Sequence, residues 1–456
     1  MKIPPKPPKL EDIFPKRGEE VSKALRDSDF LNLIARWNNS REYYYWDSFR
    51  YLKFPDAISP EIAWVCRELS HMGEVKYVPI MDNDGKPFGY WLPARAQEWL
   101  HLIDREVPFE TLHKASPASG EKERYILASL MEEAIASSQM EGAATTRKNA
   151  KNMLVSGTAP KNKSEQMIFN NYKTIARIKE LKEDKLTVEM ILELHKLLTH
   201  KTMSEESMCG YFRATEKDDE VKVYDFDGTL LYNPPKHEQV VELVEKLVEF
   251  ANNDANEHFI HPVVKGIMLH YWLSYIHPFI DGNGRTARGL FYWYMLKKGY
   301  WIFEYISISR VVMKTYGQYK RAFLYSELSN DLAYFVMYNL RVIHDAIHEA
   351  ALYIDRKQKV QQQAMNLLRR IRGVNPRQRE LLAWVYKNPD EQITIAKHSA
   401  FHSVVYQTAR ADLLGLVDKG YLEQMIEGKK MVFVPAEGFH EKIKKLISPP
   451  KGNSGR

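Results

Sequence analysis

The chain has 456 residues, of which 44% are hydrophobic and 27% charged, and its formal net charge is +6 at pH 7. This length exceeds one ordinary core, so we expect two or three globular domains rather than a disordered or fibrous chain. Two cysteines argue against a disulfide framework or a cysteine-rich metal site. The sequence shows no signal peptide and no apolar run of membrane-spanning length, which predicts a cytoplasmic protein without a membrane partner.

Residues 1–115 are predicted to form an N-terminal region that mixes helices with one hairpin. Two apolar and aromatic runs, 75–81 and 88–92, flank Asp82-Asn83-Asp84-Gly85, which is a strong turn sequence. The aromatic cluster that begins at Tyr43 is interpreted as a packing surface rather than a ligand-binding box. This region is therefore predicted to have an α+β arrangement, and the sequence leaves its role open.

Two features precede the most informative stretch of the chain. Residues 121–140 have helical character that ends at Gly142, and Ser137 and Glu141, four residues apart, lie on one helical face. Thr187 is a plausible helix start. Residues 213–235 interrupt the helical pattern, because two short apolar runs around Asp225-Phe-Asp-Gly228 predict a second hairpin that ends at Pro234.

Residues 277–288 place a histidine, a carboxylate, an amide, two glycines and two arginines within twelve positions. The apolar stretches on either side predict two helices joined by a tight loop. Gly282 and Gly284 allow the backbone to approach a ligand, and the N–H groups that begin the second helix favour an anion. Arg285 and Arg288 are three residues apart, so both can face that anion.

Two further side chains of this stretch supply the chemistry of a phosphate enzyme. Asp281 can hold Mg²⁺ through oxygen, and His277, at the loop entry, can act as a general base. Spacings of nine and seven residues separate His261, His270 and His277, which is not a local metal-binding pattern, so we interpret His261 and His270 as structural. The stretch predicts a phosphate-handling active site.

The twelve residues match the signature of the Fic (Fic/Doc) family, His-x-Phe-x-(Asp/Glu)-Gly-Asn-Gly-Arg-x-x-Arg, at every fixed position. The chain resembles this family over roughly residues 120–345. The resemblance implies a mainly α fold, with a Fic helical core at 116–345 that carries a β-hairpin flap. Most Fic proteins transfer AMP from ATP to a hydroxyl side chain of a target protein. The resemblance therefore implies a protein adenylyltransferase that uses ATP and Mg²⁺ or Mn²⁺.

The resemblance also implies roles for individual residues. His277 would accept the proton of the attacking Ser, Thr or Tyr hydroxyl, and Asp281 would hold the metal ion. The flap, which follows Gly210-Tyr-Phe-Arg213, would clamp the target backbone by strand addition. The residues that would contact ATP are Gly282, Asn283, Gly284, Arg285 and Arg288, with Thr229 and Leu230 of the flap.

Ser137-Ser-Gln-Met-Glu141-Gly142 resembles the family's inhibitory motif, (Ser/Thr)-x-x-x-Glu-(Gly/Asn), on a helix at about 121–142 that precedes the core. In the family this glutamate pairs with the second signature arginine, here Arg288, which implies autoinhibition. The same glutamate can position a water for removing AMP, so a reverse hydrolase (deAMPylase) activity is also implied. Family members often form dimers, so a homodimer is an open alternative. The target of AMP transfer can also be the protein itself, so self-modification is open as well.

The C-terminal residues are predicted to form a separate domain. Residues 357–456 carry 18 Lys and Arg against 9 Asp and Glu, which points to an acidic partner. Helices at 376–387, 394–399 and 402–419 and strands at 421–426 and 431–434 predict a winged helix-turn-helix at 374–447, preceded by a helical connector at 346–373 and followed by a tail at 448–456. Winged helices bind duplex DNA or proteins. The candidate DNA contacts are His402, Ser403, Tyr406, Gln407 and Arg410.

Three functions remain open from the sequence. The first is the adenylyltransferase. The second is an enzyme of the same fold that uses another donor, such as a phosphate or phosphocholine transferase; the complete signature with both arginines favours AMP transfer over it. The third is a DNA-binding transcription regulator whose nucleotide site only senses ATP.

Overall fold

The computed structural model describes residues 3–105, 121–224, 228–254, 258–368, 373–388, 392–427 and 430–447. The chain forms two compact units, Met1–Val107 with Ile126–His348, and Pro108–Tyr125 with Glu349–Arg456. The described residues are mostly helical, and their strands pair into small antiparallel sheets, which confirms the predicted mainly α fold. The predicted division into N-terminal region, core, connector and C-terminal domain stays a prediction. In these described ranges, no helix is long and apolar enough to cross a membrane.

The N-terminal part of the first unit contains α1 (Leu10–Ala24), α2 (Ser28–Asn38), α3 (Trp46–Phe49), α4 (Pro60–His71), β1 (Lys76–Met81), β2 (Pro87–Tyr90) and α5 (Ala94–Arg105). The predicted hairpin is present, with Lys76 opposite Tyr90. Asp82 Oδ1 stabilises its turn by accepting the N–H groups of Asp84 at 2.9 Å and Lys86 at 2.7 Å. Most of the aromatic cluster is buried, including Tyr43, as its interpretation as packing surface predicted.

The helices that follow are α6 (Glu121–Met140), α7 (Arg147–Ser156), α8 (Lys163–Glu180), α9 (Val188–Thr199), α10 (His237–Asn252), α11 (Pro262–Ile276), α12 (Asn283–Lys297), α13 (Ile308–Lys314), α14 (Tyr316–Ser329) and α15 (Ala333–Leu368). Thr187 caps α9 as predicted, because its hydroxyl accepts the N–H of Met190 at 3.1 Å. Helices α11 and α12 are buried on nearly all sides, as expected of helices without a polar face. They form the rigid base on which residues 277–282 are mounted.

Helix α6 is attached to the core by a buried carboxylate and an apolar face. Glu133 Oε2 accepts hydrogen bonds from Ser307 Oγ and Ser309 N, both at 3.0 Å. A buried carboxylate is tolerated only when it has such donors. Ile135 packs into an apolar cluster with residues of α7 and α8. These contacts fix the register of α6, whose last turn carries Ser137.

The second hairpin consists of β3 (Val223–Tyr224) and β4 (Leu230–Tyr232), paired antiparallel. Its turn residues 225–227 lie outside the described part of the chain. The Tyr232 hydroxyl donates to the carbonyl of Tyr275 at 2.7 Å, so the hairpin is tied to the end of α11. This hairpin is the predicted flap, and we call it the flap below.

The second unit contains α16 (Pro376–Lys387), β5 (Ile393–Thr394), α17 (Ile395–His402), α18 (Tyr406–Asp418), β6 (Leu422–Glu427), β7 (Lys430–Pro435) and α19 (Phe439–Ile447). Its three strands are ordered β5-β7-β6, and buried residues of the helices and strands, among them Leu382, Leu413 and Phe433, form one apolar core. Residues 428–429 at the predicted wing tip and the predicted tail lie outside the described residues.

The third helix of this unit begins at Tyr406, so the predicted start at residue 402 is wrong. Ser403 adopts a left-handed conformation with φ of 52°, which ends α17 and separates it from α18. The His402 side chain is only 7% exposed and lies 3.6 Å from Glu380. His402 is therefore a packed residue and not a surface candidate for DNA.

Candidate active site

The loop between α11 and α12 is bounded by two left-handed residues. His277 has φ of 51°, and its N–H still donates to the Leu273 carbonyl at 3.0 Å. Gly282 has φ of 84° and is the N-cap of α12. A Cβ on Gly282 would lie 2.7 Å from Thr199 Cγ2, so both the backbone angle and the space require glycine. We call residues 277–282 the signature loop.

The side chain of Asn283 closes the signature loop on itself. Its Oδ1 accepts the N–H of Phe279 at 2.9 Å, and its Nδ2 donates to the carbonyl of Phe279 at 2.7 Å. Asn283 is buried, and a primary amide has two donor hydrogens, so one hydrogen remains for a ligand. The amide that the sequence suggested for phosphate binding thus also holds the loop in shape.

Asp281 offers the carboxylate of the signature loop to solvent. Its side chain is 48% exposed, and its Oδ1 accepts from the N–H of Gly282 at 2.5 Å and from Arg285 at 3.4 Å, while Oδ2 has no hydrogen bond to the part of the chain that the structure describes. Within the described residues, no three His, Cys, Asp or Glu side chains are grouped to hold a metal ion. A Mg²⁺ ion held by one carboxylate and substrate phosphates fits this donor set, because Mg²⁺ is usually bound in that way.

The two signature arginines contact different parts of the protein. Arg285 is buried and donates to the Leu198 carbonyl at 3.0 Å, besides its contact with Asp281. Arg288 points toward α6, where its Nε donates to Ser137 Oγ at 2.9 Å and its Nη2 donates to the Ser137 carbonyl at 3.0 Å. The spacing of Arg285 and Arg288 predicted that both could face one anion, but in this structure the two guanidinium groups bind different partners.

Glu141 lies just beyond the end of α6 and forms an ion pair with Arg288. Its Oε1 accepts from Arg288 Nη2 at 2.8 Å, with side-chain exposures of 26% and 8% respectively. A Cβ on Gly284 would collide with this same carboxylate oxygen. The second signature glycine therefore leaves room for Glu141, and the carboxylate occupies space over the first turn of α12.

A small cavity of about 20 Å³ lies beside Arg288, with Met140, His270 and Tyr319 in its wall. This volume holds about one water molecule. His270 Nε2 lies 3.1 Å from the Tyr319 hydroxyl, and His261 caps α11, so both histidines have structural roles here. A nucleotide base could use this cavity only if the wall moved.

The His277 ring stands at the start of the signature loop and, within the described residues, makes one weak hydrogen bond, between its Nδ1 and the Ser274 carbonyl at 3.4 Å. Burial lowers the pKa of His277 to about 4, while the nearby carboxylates of Glu141 and Asp281 act in the opposite direction. The imidazole is therefore neutral at physiological pH. A neutral imidazole can accept a proton, which is what a general base must do.

Arg213 holds the backbone at His277, a role that sequence reasoning missed. Its Nε donates to the His277 carbonyl and its N–H to the Pro278 carbonyl, both at 3.0 Å. The guanidinium is buried and pairs with Asp219, which also accepts from His237 at 2.9 Å. The stretch that ends in Arg213 was noted only as the start of the flap, because a contact across 64 residues has no local pattern.

Of the two flap residues predicted to contact ATP, Thr229 directly precedes β4 and Leu230 is its first residue. Leu230 is 41% exposed. Their neighbour Tyr232 anchors the flap to α11, so the flap lies near the signature loop that follows α11. His195 of α9 is a further residue at this loop that sequence reasoning missed, and burial lowers its pKa to about 4.

Comparisons with known proteins agree with this geometry. Residues 185–295 match the Fic/DOC family. The chain is 31% identical over 117 residues to protein adenylyltransferase fic-1 of Caenorhabditis elegans, covering 26% of this chain and 20% of that protein. It is 35% identical over 116 residues to protein adenylyltransferase Fic of Drosophila grimshawi, covering 25% and 21%. The chain therefore contains a Fic/DOC family domain, and it spans about a fifth of the length of these relatives.

A solved structure shows the same fold. A fragment of Fic-1 from C. elegans, residues 134–508, superposes with a TM-score of 0.50 at 18% sequence identity. The match covers 74% of this chain and 88% of that fragment. At this identity the likeness concerns the fold alone.

Proposed function

We propose that this protein is an adenylyltransferase that transfers AMP from ATP to a Ser, Thr or Tyr hydroxyl of a target protein or of itself. The observation that carries the proposal is the complete signature loop, mounted between two buried helices with a neutral histidine at its entry. The fic-1 and Fic relatives are named as protein adenylyltransferases, which supports the same chemistry here.

In the proposed reaction the target hydroxyl attacks the α-phosphorus of ATP. His277 accepts the hydroxyl proton as the new O–P bond forms, and the bond from the α-phosphorus to the bridging oxygen breaks, so pyrophosphate leaves. The N–H groups of Asn283 and Gly284 in the first turn of α12 would hold the α-phosphate, and that of Gly282 would join them once it leaves Asp281 Oδ1. Asp281 would hold Mg²⁺, whose charge offsets that of the phosphates.

Arg285 and Arg288 are assigned to the β- and γ-phosphates, and Thr229 and Leu230 of the flap to the nucleotide. Arg288 has its Nε bonded to Ser137 and its Nη2 bonded to Ser137 and Glu141, so these two nitrogens are not free to hold a phosphate while the contact with Glu141 persists. We therefore propose that α6, with Ser137 in its last turn and Glu141 just beyond its end, is inhibitory. With Arg288 held back, ATP would bind with its α-phosphate misplaced for in-line attack.

The burial of His277 predicts an unusual pH dependence. The neutral ring is the active form, so the activity is present above about pH 4 and is lost as the pH falls through that value. An ordinary histidine would lose it below about pH 6.5. The ratio kcat/KM reports the free enzyme. We expect no acidic limb from His277 in kcat/KM between about pH 5 and pH 8.

This pH profile should be measured on Glu141→Gly. ATP binding should be determined at each pH, so that the titration of ATP can be distinguished from that of His277. Removing Glu141 also removes a carboxylate that raises the pKa of His277, so the limb should not move upward. An acidic limb near pH 6.5 that ATP binding does not follow would contradict a buried neutral base.

The group that is transferred to protein distinguishes the proposed adenylyltransferase from the two alternative functions. Mass spectrometry of protein incubated with ATP and Mg²⁺ should find AMP on a hydroxyl side chain. Phosphate alone would support a same-fold transferase with another chemistry, and binding without modification would support a nucleotide-sensing regulator. Release of AMP from modified protein would reveal the reverse hydrolase activity in which Glu141 positions a water.

We also propose that residues 374–447 form a winged helix that binds duplex DNA. Helix α18 buries Ala409 and Leu413 in its own unit while its outer face is exposed to solvent. The exposed residues on and just before this helix include Ser403, Tyr406, Gln407 and Arg410. An exposed helix with a basic and two hydrogen-bonding side chains suits the major groove.

A gel-shift assay with a random-sequence duplex at low salt tests this second proposal. The protein should retard the duplex, and Arg410→Ala should weaken binding by roughly tenfold. Lys359→Ala is the control, because Lys359 is exposed in α15 and pairs with Asp355. If no duplex is retarded, the domain does not bind DNA and a protein partner becomes the better hypothesis.

A further inference from the structure

His195 is fully buried against the signature loop and contacts it in three ways. Its Nε2 lies 2.9 Å from the Asp281 carbonyl oxygen. Its ring stacks on the ring of Phe279, with centroids 3.7 Å apart and planes within 2° of parallel. A Cβ on Gly282 would lie 3.3 Å from the same ring, so the glycine packs directly on the imidazole. The His195 side chain therefore contacts the Phe279 ring, the Asp281 carbonyl and the backbone of Gly282.

The other ring nitrogen of His195 fixes its protonation. The backbone N–H of Gly210 donates to Nδ1 at 3.0 Å. Nδ1 is thus an acceptor without a proton, so Nε2 carries the hydrogen and donates it to the Asp281 carbonyl. His195 links the segment before the flap to the signature loop through one neutral tautomer.

The orientation of the Asp281 carbonyl has a consequence for the phosphate-facing groups. In a trans peptide the C=O and the following N–H point in opposite directions. The hydrogen bond to His195 therefore turns the N–H of Gly282 away from α9. That N–H donates to Asp281 Oδ1 at 2.5 Å in this structure and directly precedes the N–H groups of the first turn of α12. The Gly282 carbonyl is held by Thr286, whose N–H donates to it at 3.0 Å.

We propose that His195 is a positioning residue that sets the orientation of the Asp281–Gly282 peptide and so aligns the α-phosphate for attack. This role rests on the proposed AMP transfer. His195 does not touch the reacting atoms, and it acts through the backbone of the signature loop. A histidine that only filled space would need neither the hydrogen bond that its Nε2 donates to Asp281 nor the one that its Nδ1 accepts from Gly210.

The test compares variants of Glu141→Gly, the form expected to be active. His195→Phe keeps the buried ring that stacks on Phe279 and removes both hydrogen bonds, whereas His195→Gln keeps a donor and an acceptor. Thr202→Val is the control, because it removes a buried hydrogen bond, from Thr202 Oγ1 to the Thr199 carbonyl at 2.9 Å, near the end of the same helix. Two quantities are measured: kcat and KM for ATP, and hydrogen exchange of the peptide 277–289.

His195→Phe should lower kcat by roughly a hundredfold with a smaller change in KM, as expected for a misplaced reacting group. It should also accelerate exchange in residues 277–289, and His195→Gln should restore part of both. Unchanged kcat and exchange in His195→Phe would overturn the role, and so would equal losses in Thr202→Val. If Glu141→Gly itself transfers no AMP, the proposed function fails, and the exchange of residues 277–289 alone decides the role of His195.

Discussion

Substitution of His277 by alanine is expected to abolish AMP transfer, with a loss of roughly a hundredfold to ten-thousandfold, the usual contribution of a general base. The ring is neutral and, among the described residues, makes a single weak hydrogen bond, so its removal takes away the proton acceptor without breaking the hydrogen bonds that hold the signature loop. ATP binding should persist, because the groups assigned to the phosphates are unchanged. The measurement is the rate of AMP incorporation beside an ATP-binding titration.

Two further variants make this result specific. His277→Asn should be as inactive as His277→Ala, and asparagine tolerates the left-handed backbone better than most residues, which excludes strain as the cause. His200→Ala is the control, since the His200 side chain is 55% exposed and lies 3.5 Å from Glu206, away from the signature loop's hydrogen bonds described above. Incorporation by His277→Ala at a rate near that of the parent would show that another group removes the proton.

Glu141→Gly is expected to raise the rate of AMP transfer roughly a hundredfold, because a displacement of about 1 Å at the reacting centre can cost that much. The substitution frees Arg288 from the carboxylate at 2.8 Å and clears the space over Gly284. Glu141 follows the last residue of α6, so glycine there does not weaken the interior of the helix. The measurement is the initial rate of AMP incorporation at saturating ATP.

Glu141→Gln tests the charge of the same contact, because glutamine keeps the shape of the side chain and removes its charge. We expect its rate of AMP transfer to lie between those of the parent and Glu141→Gly. Glu132→Gln is the matched control: it removes the ion pair with Arg147 from the same helix without touching Arg288. If Glu141→Gly and Glu132→Gln have the same rate as the parent, the contact between Glu141 and Arg288 is structural and not inhibitory.

The parts of the site that could be predicted from sequence are those whose residues lie next to one another along the chain. The signature loop lies within twelve residues between two apolar helices, so its position and its helix ends follow from local patterns. The contact between Glu141 and Arg288 spans 147 residues and was predicted only through the resemblance of Ser137–Gly142 to a known motif. Without that motif, no spacing in the chain would have joined them.

The remaining contacts depend on tertiary structure. The sequence shows that Asn283 and Arg285 carry donors, but not that these donors are engaged by Phe279 and Leu198. The roles of His195 and Arg213 arise where α9 and the segment before the flap meet the loop, which no helical period reveals. The start of α18 was misplaced for a local reason, since a serine rarely adopts the left-handed conformation that ends α17.

The most direct test of AMP transfer is to incubate Glu141→Gly with Mg²⁺ and ATP labelled at either the α- or the γ-phosphate, beside the parent and the double variant with His277→Ala. We predict that only the α-label becomes attached to protein, strongly in Glu141→Gly, weakly in the parent and not in the double variant. Attachment of the γ-label instead, or of the α-label regardless of His277, would contradict AMP transfer by this site.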